Sequence, residues 1–229
     1  MVVLAVVTTI ALCLLLDWLS RDRHPEPTVC LPAGAREPGL DPPELVGDIQ
    51  VQLDMCYHPA HSWALAVGPD RVRIGVDAFA LQVLGPFNSI DLPRPGSSVV
   101  QGRPAWNLCR GGCRAPVLSP VSGRVAAVNS LVAVQPQVLQ GDPFGQGWLL
   151  EVQTADITTS FNNLLRGAVV CRWQAEAIAR TRSRGWYSKM SASSEMPPAW
   201  WSQAVQEILY TDSRDADRIQ GFGGEDGAH

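Results

Sequence analysis

Trp106 to Gly123, WNLCRGGCRAPVLSPVSG, constrains the fold of this chain more than any other stretch. It reads as a β-hairpin in which a short strand meets a tight turn at Gly111-Gly112 and a second strand leads away from it. That second strand runs into a further turn, Ser119-Pro120-Val121-Ser122-Gly123. Two consecutive glycines supply the positive φ angles of a two-residue hairpin turn at little steric cost.

The surroundings repeat the strand signal. His61 to Val67 and Arg71 to Val76 flank the turn Gly68-Pro69-Asp70, and Val72, Ile74 and Val76 alternate with polar partners as a half-buried strand does. Asp77 is placed to cap a short helix, Ala78 to Leu84, which Gly85-Pro86 stops. Ser89 to Leu92, Val121 to Val128 and Trp148 to Val152 read as further strands, and Ser97 to Val100 leads to Gly102 and the hairpin. Many short strands with closely spaced turns predict a small sandwich or flattened barrel.

Composition narrows the function classes. A formal net charge of -4 gives no electrostatic reason for a nucleic-acid partner. Lys189 is the only lysine in 229 residues, which matters wherever a cofactor is joined to a lysine amine. The six cysteines, Cys13, Cys30, Cys56, Cys109, Cys113 and Cys171, are scattered and predict free thiols in a reducing compartment.

Val2 to Leu16 is a run of apolar residues and threonines, extended past Asp17 by Trp18 and Leu19. At 1.5 Å per residue, roughly 18 residues cover most of a ~30 Å hydrocarbon core, so residues 1–20 read as a transmembrane anchor. Arg21 and Arg23 follow the span and nothing basic precedes it, which places the remaining body in the cytoplasm. Residues 21–50 are rich in proline and glycine and read as a tether, with the globular domain over 51–182.

In order and spacing, the chain from Tyr57 to Trp173 resembles the glycine cleavage system H protein, of the lipoyl-carrier family. The matching residues begin with His61 and Trp63, then Gly75 to Asp77, Leu84-Gly85, Ile90 to Pro93, Gly96 and Gly102. They continue with Ser119 to Gly123, Val128-Asn129, Pro136 and Asp142-Pro143-Phe144-Gly145-Gln146-Gly147-Trp148. The resemblance implies a mainly β, lipoyl/biotinyl hammerhead (single hybrid motif) fold. It would be a flattened sandwich of antiparallel sheets with flanking helices, here preceded by the N-terminal transmembrane helix. It also implies a lipoate-bearing lysine on the hairpin tip. Ten residues on from Gly102 and seven back from Ser119, that position falls on Gly112, and the family's Glu-Ser-x-Lys block falls on Cys109-Arg110-Gly111-Gly112. No cofactor is therefore expected, although the family implies lipoate.

Cys109 and Cys113 are the remaining reactive groups near the tip. Arg110 and Arg114 would lower their pKa values, and a hairpin could bring the sulfurs within disulfide reach if both side chains share a face. They are candidate redox thiols. A CxxxC pair offers only two metal ligands, and His24, His58, His61 and His229 do not cluster with it, so no metal site is expected. His61 belongs to the fold's start and reads as structural. Gly141 to Gly147 lacks the strand–turn–helix context of a phosphate loop. No nucleophile–base pair or carboxylate pair argues for an enzyme.

Asp156 to Arg182 reads as helical, broken near Gly167, with Phe161, Leu164, Leu165, Ala168, Cys171, Ala175 and Ile178 on one face. The basic run Arg166, Arg172, Arg180, Arg182, Arg184 and then Lys189 could meet anionic headgroups or form a solvated face. Residues 183–229 read as a serine-rich linker, a short amphipathic helix from Ala199 to Tyr210, and a polar, disordered tail. Trp200 and Trp201 want a surface to bury against: a partner subunit, the bilayer interface or the domain itself. The reading is a membrane-anchored carrier-like domain without its acceptor lysine, acting as a non-catalytic assembly subunit with protein partners. The alternative is a working carrier, with lipoate elsewhere or the Cys109/Cys113 thiols at the lipoyl position.

Overall fold

The computed structural model describes residues 42–185 and 198–210. The apolar N-terminal segment, most of the proline-rich tether, Lys189 and the polar tail lie outside the described residues. Among the described residues no helix is long and apolar enough to cross a membrane.

Eleven strands are described, in three antiparallel sheets. β1 (Glu44–Val46) and β2 (Ile49–Val51) form a hairpin of their own. A six-stranded sheet runs β3 (Cys56–His58), β4 (Ser62–Ala66), β5 (Arg71–Val76), β11 (Leu150–Gln153), β10 (Gly123–Val128) and β7 (Ser98–Val99). The third sheet orders β6 (Ser89–Asp91), β8 (Pro104–Arg110) and β9 (Cys113–Leu118). Six helices flank them: α1 (Ala78–Leu84), α2 (Ser130–Val134), α3 (Gln137–Gly141), α4 (Ile157–Asn162), α5 (Ala168–Ser183) and α6 (Pro198–Leu209). The mainly β architecture with flanking helices is the one expected.

Two motifs explain why these sheets meet as they do. Trp63 is wholly buried and lies flat on the backbone of β5, where a Cβ added to Gly75 would stand 2.5 Å from its ring. Only glycine leaves room for that approach, and the indole N–H then donates to the Val76 carbonyl at 3.1 Å. Trp63 packs with Val51, Met55, Tyr57, Phe144 and Val170. The Tyr57 hydroxyl donates to the Gln52 carbonyl and accepts from the Gln52 N–H, both at 2.9 Å, and burial raises its pKa, so it stays a neutral phenol.

Asp142 organises the glycine-rich loop from within. Its two carboxylate oxygens accept the N–H groups of Gly145 at 2.9 Å and Gln146 at 2.7 Å. Asn129 then donates to the carbonyls of Gln146 and Trp148, both at 2.7 Å, and accepts from Leu131 N–H as the cap of α2. The loop's N–H groups are turned onto the chain's own carboxylate, leaving nothing arranged for a phosphate.

Two expectations need correction. β1 and all of β2 but Val51 lie within residues 21–50, the stretch read as tether, and Ile49 is a core residue. Helix α5 buries Val170, Gln174, Ala177, Ile178 and Thr181, whereas Ala168 and Ala175 face solvent. Gly167, at φ 59°, separates α4 from α5 and resets the helical phase, so one stripe could not be carried across both. Where the basic run is paired, it is as a solvated face: the exposed Arg172 pairs with Glu176, Arg182 with Asp48 and Arg184 with Glu207.

Candidate functional site

The hairpin of β8 and β9 forms as its sequence predicts. Arg110 faces Cys113 across the last rung, and the two residues between them, Gly111 at φ 54° and Gly112 at φ 83°, make the turn. Positive φ at both central positions is the two-residue turn that matches strand twist, and it is what selects glycine. The tip is exposed, and neither glycine has a neighbour within 4 Å of where a Cβ would stand. Asn88 braces it, its side-chain carbonyl accepting the Gly111 N–H at 2.9 Å while its own N–H donates to the Cys109 carbonyl at 2.9 Å.

The register separates the two cysteines. Cys109 stands opposite Arg114 and Cys113 opposite Arg110, so adjacent rungs point the thiols to opposite faces of the sheet. The shared face that a disulfide required is not there, and Cys109, Cys113 and Cys171 are free thiols. Nor do the arginines act as expected on Cys109. Its thiol pKa is raised, first by burial and then by Asp91, to which it donates at 3.4 Å. Arg114 contributes a weaker opposing effect and is itself drawn to Asp91 at 3.5 Å. Arg110 turns away, its guanidinium donating to the Leu84 carbonyl at 3.0 Å. Asp91, across the sheet on β6, is the residue that sequence neighbours could not reveal.

His61 has a structural place. Its Nδ1 lies 2.7 Å from the Asp77 carboxylate, both groups are buried, and the ring stacks on Trp173 at 4.6 Å and against Phe79 at 4.8 Å. The other Asp77 oxygen accepts Ala80 N–H at 2.8 Å and caps α1. The Ser-Pro-Val-Ser-Gly turn is equally internal: Ser119 is buried, its hydroxyl donates to the Val121 carbonyl at 2.7 Å, and Ser62 donates to the Leu118 carbonyl at 2.8 Å. Among the described residues no group of three or more His, Cys, Asp or Glu side chains could hold a metal ion.

Antiparallel sheets with flanking helices and a glycine hairpin at the surface fit the mainly β fold that the H-protein resemblance implies. The family model of the glycine cleavage H-protein matches residues 55–172, and the chain belongs to that family. The glycine cleavage system H protein of Mycobacterium avium (strain 104) is 34% identical over 128 residues, covering 56% of this chain and 93% of that relative. That of Mycobacterium leprae (strain TN) is 34% identical over 134 residues, covering 58% of this chain and 98% of the relative. A crystal structure of the Mycobacterium marinum H protein aligns with a TM-score of 0.48 at 27% identity, over 54% of this chain and 98% of that one.

Lipoate, the group the resemblance implies, is joined by an amide to a lysine amine. The tip offers two glycines, and Lys189, the only lysine of the chain, is outside both the matched residues and the described ones. The residues present at the hairpin do not fit the group.

Proposed function

We propose that this chain is a glycine cleavage H-protein-like domain that no longer carries lipoate and acts as a non-catalytic binding or assembly subunit of a larger complex. The observation that supports the reading most directly is the glycine turn between Arg110 and Cys113, with no amine at the tip. The motif residues found around it, His61, Trp63, Asp77, Ser119 and Asp142, make packing and capping contacts. Those contacts account for their presence without a reaction.

The same proposal places the domain at a membrane. Its support is the apolar run from Val2 to Leu16 with Trp18 beside it, followed by Arg21 and Arg23, which would leave the domain on the cytoplasmic side. Gentle affinity isolation of the full chain from detergent-solubilised membranes tests both parts. Recovery from the membrane fraction with stoichiometric protein partners is the expected result. Recovery as a lone monomer from the soluble fraction would overturn it.

A further inference from the structure

Helix α6 turns its apolar stripe onto its own domain. Trp201, Ala204, Val205, Ile208, Leu209 and Tyr210 are buried against α1 and β9, so the tryptophan helix needs neither partner nor bilayer to cover its stripe. Where it docks is informative. The Trp201 indole donates to the Leu84 carbonyl at 2.9 Å, and the Arg110 guanidinium donates to that same oxygen. One acceptor at the end of α1 therefore joins α6 to the residue that precedes the hairpin turn.

The second attachment is on the hairpin itself. β9 is the outer strand of its sheet. In a two-residue hairpin the rung at the turn is hydrogen-bonded, which leaves the backbone groups of Arg114 and Pro116 pointing away from β8 along the open edge. Pro116 has no N–H to offer there, and the Tyr210 hydroxyl donates to its carbonyl. Arg184, just beyond α5, forms an ion pair with Glu207. The family model ends at residue 172, and the relatives are matched over almost their whole length by about as many residues. Helix α6 is an addition to the family's domain, seated on the flank of its most characteristic hairpin.

We propose that α6 is an intramolecular cap, which closes the α1–β9 flank of the hairpin to partners and fixes the turn end of the hairpin through the shared Leu84 carbonyl. The inference rests on the reading of the chain as a binding subunit: α6 sets when that flank is open. The surface it covers accepts an amphipathic helix bearing an i, i+4, i+7 apolar stripe and an indole donor, and α6 is its resident occupant.

The full chain in detergent micelles provides the test, as wild type, as Ile208→Glu/Leu209→Glu to undock α6, and as Trp201→Phe to remove only the indole donor. A fluorescent peptide of residues 198–210 should bind the double variant at least tenfold more tightly than wild type. Amide exchange of residues 104–118 should accelerate at least tenfold in that variant while β5 and β11 stay protected. Equal peptide binding to both chains, absence of binding to the variant, or unchanged hairpin exchange would each overturn the cap. If β5 and β11 also lose protection, Trp201→Phe decides: hairpin exchange faster by about fivefold supports the cap, and no change overturns it. A lipoyl mass on the wild-type chain would instead sink the loss of carrier function and leave the exchange result standing.

Discussion

Asp77→Ala tests whether the family's motif residues serve the fold. The carboxylate is 1% exposed and performs two tasks, accepting Ala80 N–H at 2.8 Å and facing His61 Nδ1 at 2.7 Å. Loss of the helix cap costs about 1 kcal/mol. The nitrogen of His61, a residue 2% exposed and enclosed by Phe79 and Trp173, would lose its partner without access to water, at a further ~1–3 kcal/mol. The total of about 2–4 kcal/mol is a large part of the ~5–15 kcal/mol that holds a domain of this kind together. Urea titration followed by tryptophan fluorescence should show the midpoint falling with little change in slope. Combining the substitution with His61→Phe should cost less than the sum of the two alone, because the orphaned nitrogen is gone. A loss below about 1 kcal/mol, or strict additivity, would refute the structural assignment.

Three further outcomes follow from the same geometry. Gly75→Ala places a methyl 2.5 Å from the Trp63 ring and should destabilise the domain by about 1–3 kcal/mol in the same titration; an unchanged midpoint would mean that Trp63 is free to move. Gly112→Lys meets no neighbour but must adopt φ 83°, so it should cost about 1–2 kcal/mol through backbone strain alone; a neutral result would contradict the turn geometry. Cys109 should alkylate more slowly than an unperturbed thiol at pH 8, because burial and Asp91 raise its pKa and reduce the thiolate fraction. Asp91→Asn should lower that pKa and speed the reaction, and a slower rate would reverse the electrostatic argument.

Local signals were read correctly where the chain's own neighbours decide the structure. Gly111-Gly112 made its turn, and Asp77 and Gly85 bounded α1 at the residues expected. Gly167 broke the helical stretch where glycine would. The β1–β2 hairpin escaped notice because proline-rich flanks masked it, although Gly47-Asp48 between Glu-Leu-Val and Ile-Gln-Val is a two-residue turn signal. The environment of Cys109 was illegible for a different reason. Its nearest charged sequence neighbour is Arg110, but the charge that raises its pKa after burial is an aspartate eighteen positions away, brought alongside by sheet register. The paired tryptophans announced a need for burial, and only the tertiary contact with Leu84 shows that the domain meets it. At the tip, by contrast, Gly111 and Gly112 make the two-residue turn that their own sequence predicts, because local backbone preference alone decides it.

Intact mass of the full chain, purified from cells with an active lipoylation pathway and measured under reducing conditions, bears most directly on the central claim. The account predicts the unmodified polypeptide mass, for wild type and for Lys189→Arg alike. A lipoyl increment on the wild-type chain would contradict it, and disappearance of that increment in Lys189→Arg would identify a carrier site outside the hairpin.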